Sequence, residues 1–172
     1  MNIIKILINF IQHRKNPVSY AKKIGVNIGK NCRIIGPQVW GSESYLITLG
    51  DNVNISFDCA FITHDGAISI IKKDPKYRNV LKFGKINIGS NCFIGCRSTI
   101  MPGVTIGDYS IVAAGSVVTK DIPSGEIWGG NPAKFIQTTE KYAEKCLLNL
   151  PDYDRDNYNL NKKAEVLKML EK

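Results

Sequence analysis

The stretch "FITHDG" sets His64 beside Asp65 where a regular pattern breaks into a long polar loop. An imidazole with an ordinary pKa of about 6.5 is mostly neutral near neutral pH and still basic enough to accept a proton. A carboxylate bonded to it would fix its tautomer and stabilise the imidazolium. Asp65 is adjacent, Asp58 lies slightly upstream, and Glu43 sits in an earlier insertion; the residue pattern leaves them unranked, and Asp65 could equally turn the loop. Cys59 or Cys96 could be written as a nucleophile for His64 to activate, although Cys59 occupies a slot filled by small packing residues.

Metal chemistry has little support. The chain has 5 cysteines and 2 histidines. "CFIGC" has the wrong spacing for a zinc pair, and nothing completes a four-ligand set. An odd cysteine count without a secretory signal reads as reduced packing residues in a cytoplasmic protein, so no metal is expected. The net charge of +8 is spread, apart from a concentration in "IKKDPKYRNVLKFGK". No nucleic-acid module accompanies it, so no nucleic-acid partner is expected; the charge suits a phosphorylated cofactor, a nucleotide-linked substrate or an acidic polysaccharide equally.

What must position these residues is a repeat. Ile88, Ile94, Ile100, Ile106, Val112 and Val118 stand six apart without a break. With Ile, Leu and Val at about a quarter of positions, six such hits have odds on the order of one in a few thousand. Cys92, Ser98, Val104, Ser110, Ser116 and Ile122 form a second series between them. Gly89, Gly95, Gly107 and Gly115, with Asn91 and Asp108, are read as the bends. A six-residue period fits neither a helix nor a flat sheet. It fits a parallel β-solenoid in which each unit makes one flat face and its aliphatic residue points inward. Upstream, Ile28 and Ile34 start the pattern, and Leu49, Ile55 and Phe61 resume it after an insertion around "GPQVWGSESY". Cys32 and Cys59 fall in the small inward slot with Cys92. A second insertion runs from about Asp65 to Gly84.

The division expected is a helical segment over residues 1–23, a β-solenoid over 24–137 with its loop at about 65–84, and a helical tail over 138–172. "MNIIKILINFIQHRKNP" reads as an amphipathic helix on the solenoid. It is too short to cross a bilayer, so no transmembrane segment is expected, with weak membrane association as the lesser alternative. "TTEKYAEKCLLNL" and "NKKAEVLKMLEK" have helical spacing and are expected to cover an open end or edge of the coil.

The hexapeptide run, "GVTIGDYSIVAAGSVVTKDIPSG" and the closing "GGNPAKFI" resemble the left-handed β-helix acyltransferases of the maltose, galactoside and capsular-polysaccharide O-acetyltransferase group. The resemblance covers roughly residues 24 to 137. It implies an all-β fold, a left-handed parallel β-helix, assembled as a homotrimer with acetyl-CoA as donor in the groove between subunits. It also implies that His64 takes the proton from an acceptor attacking the thioester; adjacency alone sets Asp65 beside it as the catalytic carboxylate. Gly95, Cys96, Ala113, Ala114 and Gly115 match the strip along which the pantetheine arm is held by backbone amides. Thr119 and Lys120 match positions near the diphosphate or adenine, Lys134 a position that meets the phosphates, and Asn131 and Pro132 adenine-end contacts. Without the resemblance, Lys120 and Lys134 would read as solvated charges.

The acceptor-side expectations are Glu43, Asp58, Tyr77, Arg78 and Phe83. The loop from Asp65 to Gly84 could close over a sugar ring with Tyr77 or Phe83 and meet a phosphate with Lys72, Lys73 or Arg78, or it could pack on a neighbouring subunit. The expected activity is O-acetylation of a sugar, nucleotide-sugar or oligosaccharide hydroxyl, in the synthesis of a surface polysaccharide. The alternative is N-acetylation of a nucleotide-linked amino sugar. A β-helix carbonic anhydrase would need three histidine ligands, and only His13 and His64 are present.

Overall fold

The computed structural model describes residues 13–171. The amphipathic helix expected at the start therefore lies mostly outside the described residues. Within them, α1 (Pro17–Lys23) begins at Asn16, whose side chain accepts a hydrogen bond from the Ser19 amide, with Pro17 in the first turn where its missing N–H costs nothing. The chain divides into two compact units, one ending at Thr139 and the other beginning at Glu140.

In the first unit most hexapeptides contribute a strand of two or three residues with alternate side chains facing out and in, and those at Trp40 and Ile122 a single bridge. The first sheet is β1 (Asn27–Ile28), β3 (Ile47–Leu49), β6 (Ile86–Ile88) and β9 (Thr105–Ile106). The second is β2 (Arg33–Ile34), β4 (Asn54–Ile55), β7 (Phe93–Ile94), β10 (Ile111–Val112), β12 (Glu126–Gly130) and β13 (Ala133–Thr138). The third is β5 (Ala60–Phe61), β8 (Thr99–Ile100) and β11 (Val117–Val118). All pairings are parallel except the closing hairpin of β12 and β13. The registers stack Ile28 on Leu49, Ile88 and Ile106, stack Ile34 on Ile55, Ile94 and Val112, and stack Phe61 on Ile100 and Val118. All of these side chains are buried, at roughly 1.5–3 kcal/mol each as an upper estimate.

The second series lines the same interior. Cys92, Ser98, Val104, Ser110, Ser116 and Ile122 are buried, and the Ser98 and Ser110 hydroxyls donate to the Ala113 and Pro123 carbonyls at 3.1 and 2.8 Å. Cys59 follows them, whereas Cys32 is only half-buried, because it belongs to the first coil and has no coil beyond it.

Two sequence expectations need correction. The left-handed backbone falls at Asn91, Arg97, Gly103, Tyr109 and Gly115, six apart, so Gly89, Gly95 and Gly107 are not the bends. A Cβ at those three glycines would collide with Asp108, Ala114 and Ser124 on the next coil, so what they supply is close approach between coils. The insertion around "GPQVWGSESY" is also shorter than expected. Trp40 stands six after Ile34, is buried, and stacks on Phe61 at 4.8 Å between ring centroids, so it fills the third face of the first coil. The chain leaves the repeat only after it, through Gly41 to a short 3-10 turn at Ser44–Leu46.

The outward faces differ. The first sheet presents Asn27, Thr48, Asn87 and Thr105. The second presents Arg33, Asn54, Phe93 and Ile111, polar in the early coils and apolar in the later ones, and the third Ala60, Thr99 and Val117.

In the second unit, α3 (Thr139–Leu148) buries no residue, while α4 (Arg155–Leu160) and α5 (Lys162–Leu170) pack on each other around Glu165. Glu165 is 1% exposed and accepts from the Asp154 amide at 2.9 Å and the Asn157 side-chain amide at 2.6 Å, which keeps its carboxyl below the usual range.

Candidate active site

His64 follows β5, at the corner where the third sheet passes to the first. Thr63 and His64 start a hairpin that closes the long loop. The Gly84 amide donates to the Thr63 carbonyl at 2.9 Å, the Asp65 amide donates to the Lys82 carbonyl at 3.0 Å, and His64 bridges Phe83. The loop beyond holds one short helix, α2 (Ile68–Ile71), and a 3-10 turn at Pro75–Tyr77. Its base is thus tied to the coil at the residue whose chemistry matters.

The insertion after Trp40 leaves the same corner one coil earlier and delivers Glu43. Its Oε2 lies 2.8 Å from His64 Nδ1 and accepts from the Thr63 hydroxyl, also at 2.8 Å. The Thr63 hydroxyl foremost, and then the imidazole, holds the Glu43 carboxyl below the usual carboxylate range. An ionised carboxylate can only accept, so the imidazole presents Nδ1–H to it and carries its lone pair on Nε2. The His64 side chain is 42% exposed and that of Glu43 17%, so the ring can be reached while its partner is largely covered.

The pair expected from adjacency therefore gives way to another. Asp65 does not hold the imidazole: its carboxylate takes Lys82 Nζ at 2.8 Å and the Ala67 amide at 3.0 Å, and Lys82 is the main reason its pKa is lowered. Next to His64 in sequence, Asp65 points along the loop and turns it. Glu43, one of the three unranked candidates and also placed by sequence among acceptor-binding residues, is the carboxylate on the ring. The other histidine is structural. His13 Nε2 accepts from the Gln38 amide at 3.0 Å, the ring stacks on Tyr20 at 4.4 Å, and burial lowers its pKa.

A cleft of about 340 Å³ opens beside His64, with Asp65, Gly66 and Lys82 on the loop side and Met101, Pro102 and Thr119 on the coil side. A second cleft of about 210 Å³ is lined by Thr119, Lys120, Trp128, Pro132, Lys134 and Phe135. Thr119 lines both, so the cleft at the imidazole and the one with two lysines are neighbours. Asn131 and Pro132 form the exposed turn between β12 and β13, joined by a cis peptide bond.

The strip of small residues is elsewhere. Gly95, Cys96, Ala113, Ala114 and Gly115 lie where the second sheet passes to the third, a different corner from His64 and Thr119. Three of its amides are spent within the coil, Gly95 on Val112, Ala113 on Trp128 and Gly115 on Cys96, so a backbone hold on a pantetheine arm would not rest on those three. Asp58 occupies this second corner too, with left-handed backbone and its carboxylate 4.0 Å from Arg97. Tyr77 and Arg78 are exposed at the 3-10 turn of the loop, and Phe83 is half exposed with its ring centroid 6.1 Å from that of His64.

A covalent route loses ground. Burial pushes the Cys59 thiol up, and its Sγ lies 3.1 Å from the Gly95 carbonyl. Cys96 is at the far corner of the same chain. What sequence reading missed is Thr63, whose burial two places after inward-facing Phe61 could have been read from strand alternation.

The bacterial transferase hexapeptide family, described as six repeats, matches residues 85–120. Protein CapG of Staphylococcus aureus is 47% identical over 143 residues, 82% of this chain and 82% of that protein. Galactoside O-acetyltransferase of Escherichia coli (strain K12) is 33% identical over 126 residues, covering 70% of this chain but only 58% of that enzyme. A maltose O-acetyltransferase from Clostridium difficile 630 superposes with a TM-score of 0.50 at 28% identity, over 70% of this chain and 73% of that one. A relative so similar along most of its length, and a matching repeat family, place the chain among the hexapeptide-repeat acyltransferases.

Proposed function

We propose that the protein transfers the acetyl group of acetyl-CoA to a sugar hydroxyl, with His64 as general base, in the synthesis of a surface polysaccharide in the cytoplasm. The carrying observation is the Glu43 bond to Nδ1, which leaves Nε2 as the basic atom at a cleft that shares Thr119 with a lysine-lined one. Nε2 takes the acceptor hydroxyl proton as its oxygen attacks the thioester carbonyl. The tetrahedral intermediate collapses with loss of the CoA thiolate, and the imidazolium returns the proton to that sulfur. Glu43 stabilises the imidazolium between those steps. Lys120 and Lys134 provide charge for the phosphates, and Phe83 an apolar wall for the sugar ring. The galactoside and maltose O-acetyltransferases among the relatives support a sugar hydroxyl as acceptor.

The coil is read as left-handed, from family membership, and the working assembly as a homotrimer. His64 and the Gly95 to Gly115 strip occupy different corners of one chain, and the sheet faces beside that strip present Phe93, Ile111 and Val117 on their outer side. Both facts suit a site that joins His64 of one subunit to the strip of the next. Among the described residues, no helix is long and apolar enough to cross a membrane.

The test is thiol release from acetyl-CoA against sugars, nucleotide-sugars and oligosaccharides, with His64→Ala as control. Transfer to a hydroxyl that drops by about two to four powers of ten in the variant is expected. Undiminished transfer by His64→Ala removes the base, and transfer confined to amino sugars replaces the hydroxyl acceptor by an amine.

A further inference from the structure

We infer that Thr63 is a positioning residue, whose buried hydroxyl holds the Glu43 carboxylate so that His64 keeps its proton on Nδ1 and its lone pair on Nε2. This deepens the reading of His64 as base and rests on it.

Thr63 is 0% exposed, and its hydroxyl donates to the very oxygen of Glu43 that meets the imidazole. A Glu side chain has a broad, nearly two-fold terminal torsion. Glu43 also sits on an insertion, outside the strand ladders that fix the coil. Bonded to the imidazole alone, its carboxylate could rotate or swing to water, and His64 would then be free to change tautomer. A second donor from the coil removes that freedom, because Thr63 is fixed on both sides. Its carbonyl takes the Gly84 amide at 2.9 Å, and its β-branched side chain is stiff about χ1. A Cβ added at Gly41 would come to 3.0 Å from the Thr63 hydroxyl oxygen, so the insertion passes directly over it. One residue thereby ties together the insertion that brings Glu43, the imidazole, and the root of the long loop.

The experiment compares Thr63→Val, which keeps the shape and removes the hydroxyl, with Thr63→Ser, which restores it. Nitrogen-15 NMR of imidazole-labelled protein reads the tautomer of His64, with His64→Ala identifying its signals against those of His13. The wild type and Thr63→Ser should show one tautomer with a pyridine-like Nε2, and Thr63→Val a mixture. The Thr63→Val kcat should fall roughly tenfold to a hundredfold, the scale of a lost hydrogen bond to a charged group. The KM for acetyl-CoA should hold, and the loss should vanish when Glu43→Gln is already present. A folded Thr63→Val protein with an unchanged tautomer and kcat overturns the inference, as does a full additional loss in the Glu43→Gln background. If His64→Ala proves active, the base falls instead, and the tautomer spectra still decide the role of Thr63.

Discussion

The run from Ile86 to Ile122 and the coils before it are built on the same three ladders, yet only the earlier coils carry the Glu43–His64 pair. In the later run each inward position is aliphatic or small, each residue stacks on the one three repeats on, and the backbone amides serve the adjacent coil. In the earlier coils the chain leaves the repeat twice, after Trp40 and after Phe61, and both departures are at the corner between the third and first sheets. The uninterrupted coil leaves little room for a reactive side chain, because inward positions are packed and outward ones are solvated. A break at one corner, repeated one coil later, sets two loop residues side by side on a rigid base. Stability and chemistry are thus divided along the chain, and substitutions should separate them.

The largest effect expected on stability is in the regular part. Ile100 is fully buried between Phe61 and Val118, and Ile100→Ala should lower the unfolding free energy by about 2–5 kcal/mol, read from urea denaturation. His64→Ala, which removes a partly exposed ring, should leave the urea midpoint near that of the wild type. A comparable loss of stability in His64→Ala would show that the broken coils are as tightly built as the regular ones.

Glu43→Gln should cost roughly tenfold to a hundredfold in kcat, because an amide no longer stabilises the imidazolium. The pH dependence has a defined sign. With its folded pKa below the ordinary one, Glu43 contributes stability fully above the ordinary carboxyl range, near pH 4 to 5, and loses it as pH falls through that range toward the lower folded value. Acid unfolding curves of wild type and Glu43→Gln should therefore converge at the acid end and separate above it. Parallel curves throughout would mean that the Glu43 bonds are lost already in water at neutral pH.

The coil was legible in the sequence because a six-residue period records the inward face directly: Ile88 through Val118 are all buried at the expected positions. Trp40 also obeyed the period, and was hidden only because glycine, proline and glutamine around it read as a loop. His64 was legible as a lone imidazole at a break. Its partner was not. Sequence adjacency favours Asp65, but successive side chains leave an extended chain in opposite directions, so Asp65 turns to Lys82 while Glu43, 21 residues away, comes round from the preceding coil. Thr63 escaped notice for a related reason. A buried hydroxyl has meaning only once its acceptor is known, and that acceptor comes from an insertion whose path no local pattern records. Gly89, Gly95 and Gly107 were misassigned, and Gly115 was not, because one residue type serves both left-handed turns and close coil contacts.

The smallest effect separates the two carboxylates near His64. Lys82 is exposed and its ion pair with Asp65 lies at the surface, where such pairs contribute little because water screens them and both side chains lose freedom. Asp65→Asn keeps an oxygen that can accept from the Ala67 amide, so the turn survives while the charge goes. Its kcat should stay within about threefold of wild type, and KM for the acceptor should move more than KM for acetyl-CoA, since Asp65 and Lys82 line the loop side of the cleft and neither reaches the lysine-lined one. A loss in Asp65→Asn as deep as that in Glu43→Gln would return Asp65 to the imidazole during turnover, and would mean that the loop root moves when substrate binds.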